Sequence, residues 1–515
     1  VSKLTAYSAL TTPAPTDMML IVDVSDTSMA ASGTTKKIAL SDVLGAVSLT
    51  ASGDSTGATD TAAIQSALNT GGLIILRGGT FWTNATLNMT VSGTTLMGAG
   101  AQNTILKSVT GNAANVMLQL GDGTNTIGDC NVYDILFDSA TQKTANAAVD
   151  ITKGFRTKIE RCRFYHQYFC IHVHNSTCTW ITDDEFRDTT GDAIAYDSDL
   201  GAGFDLYITN CIADNPVITN AGNGINWTGG ENLVIHNCDF EHFVTGFMVN
   251  PGSGRQCRWG FLSAAEFDTC SDNTIHFTNG SGDIAGVTLT NCWAGTATNY
   301  GVLIDGSGAG GIMAGIKLLG CKILHNGLAG IRLINGAVNT TISDCDIISN
   351  SQTVSNTRSG IEVTATTQDF VIIGNQITNG WGQGSTQSNG INFDSGATTH
   401  FVIEGNDVRG NVNLGINNVG GVTGTDGRIH NNLGYNPVGV LGPPGVPATT
   451  VALTNPYNVS AMVYITAGTS TCAVAVGGSA MFTIPASGVG TVRVPPNQTI
   501  TLTYTNAPTW HWTGD

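Results

Sequence analysis

The chain has 515 residues, enough for several domains or for one long repeat array. Its 38 acidic residues against 21 Lys and Arg give a formal charge of −17, opposite in sign to what a phosphate-neutralising nucleic-acid binder needs. Only 11% of residues are charged and 65 are Gly, a composition that disfavours helix and puts an all-β architecture first.

In chain order, residues 1–48 read as a small separate module, with two short strand patterns and a final short helix in DMMLIVDVSDTSMAASGTTKKIALSDVLG. The first residues lack a charged region followed by an apolar one, and no run approaches the roughly 18 apolar residues of a membrane span, so a soluble chain without an export signal is expected. Residues 49–90 hold a capping helix and first strands. Asp60 or Thr61 caps a helix through Leu68, Gly71 and Gly72 stop it, and Leu73 to Leu76 begins a buried strand.

From 91 to 436 one phrase recurs: Ile or Leu, a small turn residue two places on, then Cys or Asn, a variable residue and an apolar one. Examples are IERCRF at Ile159, IHNCDF at Ile235, ISDCDI at Ile342 and IEGNDV at Ile403. The fourth position marks Ile135, Cys162, Asp184, Cys211, Cys238, Ala265, Cys292, Cys321, Cys345, Asn375, Asn406 and Asn432, on average 27 residues apart. A second phrase follows each marker, often Gly and an alternating apolar stretch, as in GINWT at Gly224 and GIRLI at Gly330. Strands that return every 27 residues with no crossover helix must stack on their own copies, which predicts a parallel β-helix of about eleven or more coils. Residues 437–448 form a Pro-rich linker, and 449–515 alternate as a small β-sandwich ending in Trp510 and Trp512.

Stacked coils turn columns of the repeat into columns in space, one strand spacing of roughly 4.8 Å apart. The marker cysteines are then an internal stack of reduced thiols, consistent with folding in a cytosol, and the marker asparagines a ladder of amides. Twelve Cys are too sparse for a disulfide scaffold and include no CxxC pair for zinc, so neither a metal nor a cofactor is expected. Gly-rich phrases such as that at Gly306 are turns that open no helix, which leaves nucleotide binding unsupported.

The helix phrase Asp60-Thr61-Ala62-Ala63-Ile64-Gln65 resembles the N-terminal signature of pectate-lyase-like proteins. Attachment module, capping helix, repeat and terminal β domain together resemble bacteriophage tailspike depolymerases, whose fold is a right-handed parallel β-helix. The resemblance implies a homotrimer on the virion tail, joined through residues 1–48 to baseplate or tail proteins. It implies folding in the host cytoplasm and action at the bacterial surface, on a capsular, exopolysaccharide or O-antigen glycan. No membrane or nucleic-acid partner is implied. Such families place catalytic groups differently, so no residue role transfers.

The columns supply the candidates. Three places after the marker, consecutive coils carry Asp214, Glu241 and Asp268; one place after, they carry Asp239, Glu266 and Trp293, all facing outward. Stacked acids raise one another's pKa, and one or two coil steps approach the carboxylate separations of retaining and inverting glycosidases. Trp293 offers a sugar-stacking face beside them. The same pattern also fits a solvated stripe on an acidic protein. A second patch gathers Asp150, His172, His174, Asp197 and Asn226, with Asp192 and Asp199 near, suited to acid–base work, to metal binding or to plain hydrogen bonding. Long excursions after Ile194, Phe247, Ile275 and Val302 predict stacked loops forming a groove wall, with Arg255, Arg258 and Trp259 on one of them for a sugar acid and a pyranose face. Trp227 joins these as a substrate-binding candidate. The reading is an endo-acting glycoside hydrolase using paired carboxylates. A polysaccharide lyase with His172 or His174 as base, and a non-enzymatic receptor-binding tail fibre, are the alternatives.

Overall fold

Short strands separated by tight turns bury one face each, and in this chain they do so against copies of themselves. The computed structural model describes residues 18–23 and 34–39 by backbone, and 45–514 except 217–221, 308–310, 365, 381–383, 385, 395–398, 419–426 and 437. The chain is an all-β parallel solenoid of about 13 turns with almost no helix. It divides into two units, residues 1–168 with 178–185, and residues 169–177 with 186–515.

In the first unit, parallel pairing runs from Ala46–Leu49 through Leu73–Leu76, Thr95–Met97 and Asn131–Tyr133 to Gly154–Glu160. Ala46–Leu49 thus enters the solenoid from within the stretch read as a separate module. Of that module, Met18–Asp23 and Thr34–Ala39 form an antiparallel pair, and the expected short helix lies outside the described residues. The helix Ala58–Thr70 buries Ile64 and Leu68. It starts before both expected caps, because Gly57 at φ 79 turns the chain into it and Asp54 Oδ2 accepts the Thr59 amide at 3.0 Å. Asp60 is instead buried, accepting the amides of Ser52 and Trp82 at 2.9 and 3.0 Å, which ties the helix to the first coils.

In the second unit each coil visits three sheets. The first carries the inward column Ile208, Ile235, Leu262, Leu289, Leu318, Ile342, Ile372 and Ile403, all buried. The chain then turns at the marker, so that Cys211, Cys238, Cys292, Cys321 and Cys345 stand buried in one column with Ala265 between them. The second sheet runs from Ile212–Asp214 to Gln376–Thr378, with Ala213, Phe240, Phe267 and Ala294 pointing inward. The third runs through Ile194–Asp197, Ile225–Trp227, Phe247–Val249 and Ile275–Thr278. Gly246 opens one of its strands because a Cβ there would sit 2.8 Å from the Phe267 Cβ.

The first sheet bends within each coil. The bend is a column of residues with positive φ, namely Asp205, Asn232, Trp259, Gly286, Gly315, Asn339, Asp369 and His400. Part of the long excursions therefore returns as strand: Gln256–Arg258, Asp283–Ala285 and Met313–Ala314 are the near arm of this sheet, where loops forming a groove wall were expected.

Beyond the last coil stand two four-stranded antiparallel sheets. One orders Gly439–Leu441, Thr509–Gly514, Ala461–Thr466 and Val489–Val494, the other Ala452–Thr454, Thr499–Tyr504, Cys472–Val476 and Ser479–Ile484. Trp512 is buried there, edge-on to Trp510 at 5.2 Å. All twelve cysteines are free thiols, every one buried except the half-buried Cys178. No helix among the described residues is long and apolar enough to cross a membrane.

Candidate functional site

The acid row follows from register. Asp214 pairs with Glu241 and Glu241 with Asp268, while Asp239 pairs with Glu266 and Glu266 with Trp293. Phe240 and Phe267 lie between the two acidic columns, point inward and stack at 6.1 Å, which fixes the strands and turns every acid to the surface. The carboxylates of Glu241, Glu266 and Asp268 place one oxygen each within 4.8 Å of one another, and so do Asp214 and Glu241 with a ring nitrogen of His242.

Like charges this close favour proton uptake. Burial, with the charges of Glu241, Glu266, Asp268 and Asp214, pushes the Asp239 carboxyl up to about 7. One of its oxygens is buried without a hydrogen-bond partner. Burial and the neighbouring acids also raise Glu241 and Glu266, although His242 opposes the rise at Glu241. The Asp268 Oδ1 accepts the Thr269 amide at 2.6 Å. The next member of its column is Gly295, where a Cβ would lie 2.5 Å from the Trp293 indole nitrogen and 3.4 Å from Asp268 Oδ1. The missing side chain lets the half-buried indole lean beside the acids.

The second patch lies on the third sheet of the same unit. His172 Nε2 and His174 Nδ1 both donate to Asp197 Oδ1, at 2.9 and 2.8 Å. Asn175 donates to His174 Nε2, so the proton of that ring sits on Nδ1. Arg255 reaches the same patch, 3.0 Å from Asp197 and 3.3 Å from Asp199. Burial works against ionising Asp197, but the bonds and charges of the two imidazoles hold its carboxyl well below the usual range. Asp192 is buried beneath, raised by that burial, and accepts from Asn223 and Asn226. Asp150 belongs to the other unit, where it accepts from Thr152 at 2.9 Å. His172, His174 and Asp197 also bring three ligand atoms within 4.8 Å, a spacing a divalent cation can bridge once His172 Nε2 and His174 Nδ1 give up the protons they donate to Asp197.

Two expectations need correction. Trp227 is not a surface platform: it is fully buried, with its ring 6.4 Å from Tyr196 inside the coil. Arg255, Arg258 and Trp259 do not face one hollow together but meet different neighbours. Arg255 joins the histidine patch, Arg258 pairs with Asp283 at 2.8 Å, and Trp259 stands half-exposed over Phe261 and Phe204.

No family model matches the chain, and no curated protein matches it in sequence. Solved structures do. The Dettilon tailspike protein aligns over 91% of this chain and 94% of its own, at TM-score 0.51 and 10% identity. A mutant tailspike protein of E. coli bacteriophage HK620, solved in complex with a pentasaccharide, aligns over 93% and 95% at TM-score 0.50 and 10% identity. Tailspike protein 3 of bacteriophage CBA120 aligns over 72% of this chain and 59% of its own, at 0.50 and 15%. The chain has the parallel β-helix fold of phage tailspikes.

Within this tailspike β-helix, histidines that the sequence columns passed over complete the acid row. His242 stands four places after its marker, at φ 62, and donates to Asp214 at 3.0 Å one coil back. The same offset gives His166 in the first unit, 2.8 Å from Asp138. His325 repeats the position, but the residue one coil back is Gly295; its Nε2 is buried without a partner, and burial lowers its pKa against the pull of Asp268. Extending the columns one place further would have found all three.

Proposed function

We propose that the chain is a tailspike that binds and cuts a bacterial surface polysaccharide, as an endo-acting glycoside hydrolase working through the acid row. The observation that supports this most is the clustering of Asp239, Glu241, Glu266 and Asp268 on one open face, with Asp239 titrating near neutrality. A glycosidase needs one carboxyl that still holds a proton and one that is ionised. Asp239, with Glu241 beside it, suits the first role, protonating the glycosidic oxygen; Asp268, in register with Glu241 one coil on and held by the Thr269 amide, is placed to attack carbon or activate water. Between Glu241 and Asp268 the nearest oxygens lie within 4.8 Å, nearer the roughly 5–5.5 Å of retaining enzymes than the wider inverting gap. Trp293 supplies the ring against which a pyranose stacks. The pentasaccharide held by the HK620 tailspike supports a glycan as partner, and the tailspike likeness supports a place on a virion tail as a homotrimer attached through the N-terminal residues.

Polysaccharide from candidate host surfaces, incubated with the purified chain, tests this: new reducing ends without ultraviolet absorbance of an unsaturated sugar are expected. A second reading rests on the histidine patch, where Asp197 orients His172 and Arg255 lies alongside, as a lyase base and a uronate-neutralising cation would. Unsaturated product would favour it, and binding with no product of either kind would leave a receptor-binding fibre.

A further inference from the structure

The bend of the first sheet demands positive φ, which Asp, Asn and Gly adopt at small cost and a bulky aromatic does not. Six of its eight positions in this unit are Asp, Asn or Gly, yet the third is Trp259 at φ 58, with its ring 51% exposed. Its indole lies against Gly286, where a Cβ would come 3.3 Å from Cδ1. Phe261, 49% exposed, stands two residues on, and Phe204 closes the third side. Between them is a cavity of about 430 Å³ lined also by Asp205, Asn232 and Glu231. Glu231 is 8% exposed and accepts from Gln256, so a fixed carboxylate lines the cavity alongside the aromatic rings. The bend itself does not require the ring, since glycine fills the same position in the next two coils.

We propose that this corner is a pyranose-binding pocket, separate from the acid row and on a different sheet. The rings take the C–H face of a sugar, and Asp205, Glu231 and Asn232 accept from its hydroxyls. Size and lining fit a small-ligand site of aromatic walls with a few convergent polar groups. Two exposed rings rimmed by acids are too small a patch for a stable contact with a second copy of so acidic a chain.

Capture of the full chain on an array of purified bacterial surface polysaccharides tests the pocket, with Trp259→Gly and Phe261→Ala beside the unaltered protein. The expected result is that the polysaccharide retaining the unaltered chain holds both variants at least tenfold less. Trp259→Gly, relieved of its backbone strain, should melt at the same temperature or higher and keep its sedimentation mass. Equal capture of all three proteins overturns the proposal, and so does failure of the unaltered chain to bind any polysaccharide. A drop in mass for Trp259→Gly also overturns it, because a second copy would then be the occupant. Equal capture by both variants, with reducing ends still lost in Glu241→Gln, would sink the pocket and leave the hydrolase reading standing.

Discussion

Glu241 stands between Asp214 and Asp268 in register and has His242 as a neighbour, so its charge is both crowded and addressed. Glu241→Gln keeps the shape and removes the titrating group: reducing-end release should fall by at least a hundredfold while the melting temperature holds or rises slightly. Unchanged turnover would reduce the row to a solvated stripe. If Asp239 is the acid of the proposed hydrolase, its proton sets a limb of the rate profile, because the acid form is lost as pH rises through about 7. Activity should decline above that point, and Asp239→Asn should abolish the limb along with the rate. Asp184, a marker of the first unit, is a different kind of acid. It is buried, burial raises its pKa well above the ordinary value, and its Oδ1 accepts the Cys162 amide at 2.6 Å while Oδ2 has no partner. A carboxyl whose folded pKa is raised loses stability as pH climbs from its unfolded value near 3.9. Asp184→Asn should therefore gain stability over the parent in urea melts at pH 7 and little at pH 4.

The markers at the C-terminal end of the solenoid form an element of their own. Asn406 accepts from the Asn375 backbone and side-chain amides at 3.0 and 2.9 Å, and donates to Ile372 O and Asn432 Oδ1 at 3.0 and 2.8 Å. Every one of these groups is shielded from water, so Asn406→Ala should cost about 3 kcal/mol in chemical denaturation. A loss below about 1 kcal/mol would mean the coils re-pair around the gap. This ladder was legible in the sequence because one residue type recurs at one offset, and the same logic placed the acid row. The bend of the first sheet was not legible: Asp205, Asn232, Trp259 and Gly286 share a backbone angle rather than a chemistry, and near arms of two or three residues show no alternation. Trp227 shows the converse. Once Asn226 is placed outward, alternation puts Ile225 and Trp227 inside, so its burial could be read from the same phrase that suggested exposure.

For the whole molecule, the sequence marked the solenoid by its period and left the site divided among columns that only register could join. Acid should loosen the second unit at the histidine patch. Asp197 is held below the ordinary carboxylate range, so the stability it contributes is present above about pH 4 and lost as pH falls further. Asp197→Asn should flatten the acid limb of a thermal-melt series. The proposed three-fold association is checked by sedimentation equilibrium, where the mass of three chains is expected and that of a single chain would refute it.

The column of thiols has one more consequence. Eleven of the twelve cysteines are buried, ten of them inside the coils from Cys130 to Cys345 and Cys472 in the terminal sheets. A maleimide added to the intact protein should label Cys178 at most. During stepwise denaturation each newly labelled cysteine, located by mass spectrometry, dates the opening of its own coil. The molecule thus carries a graduated scale along its axis, able to report whether it comes apart from one end, from the middle, or all at once.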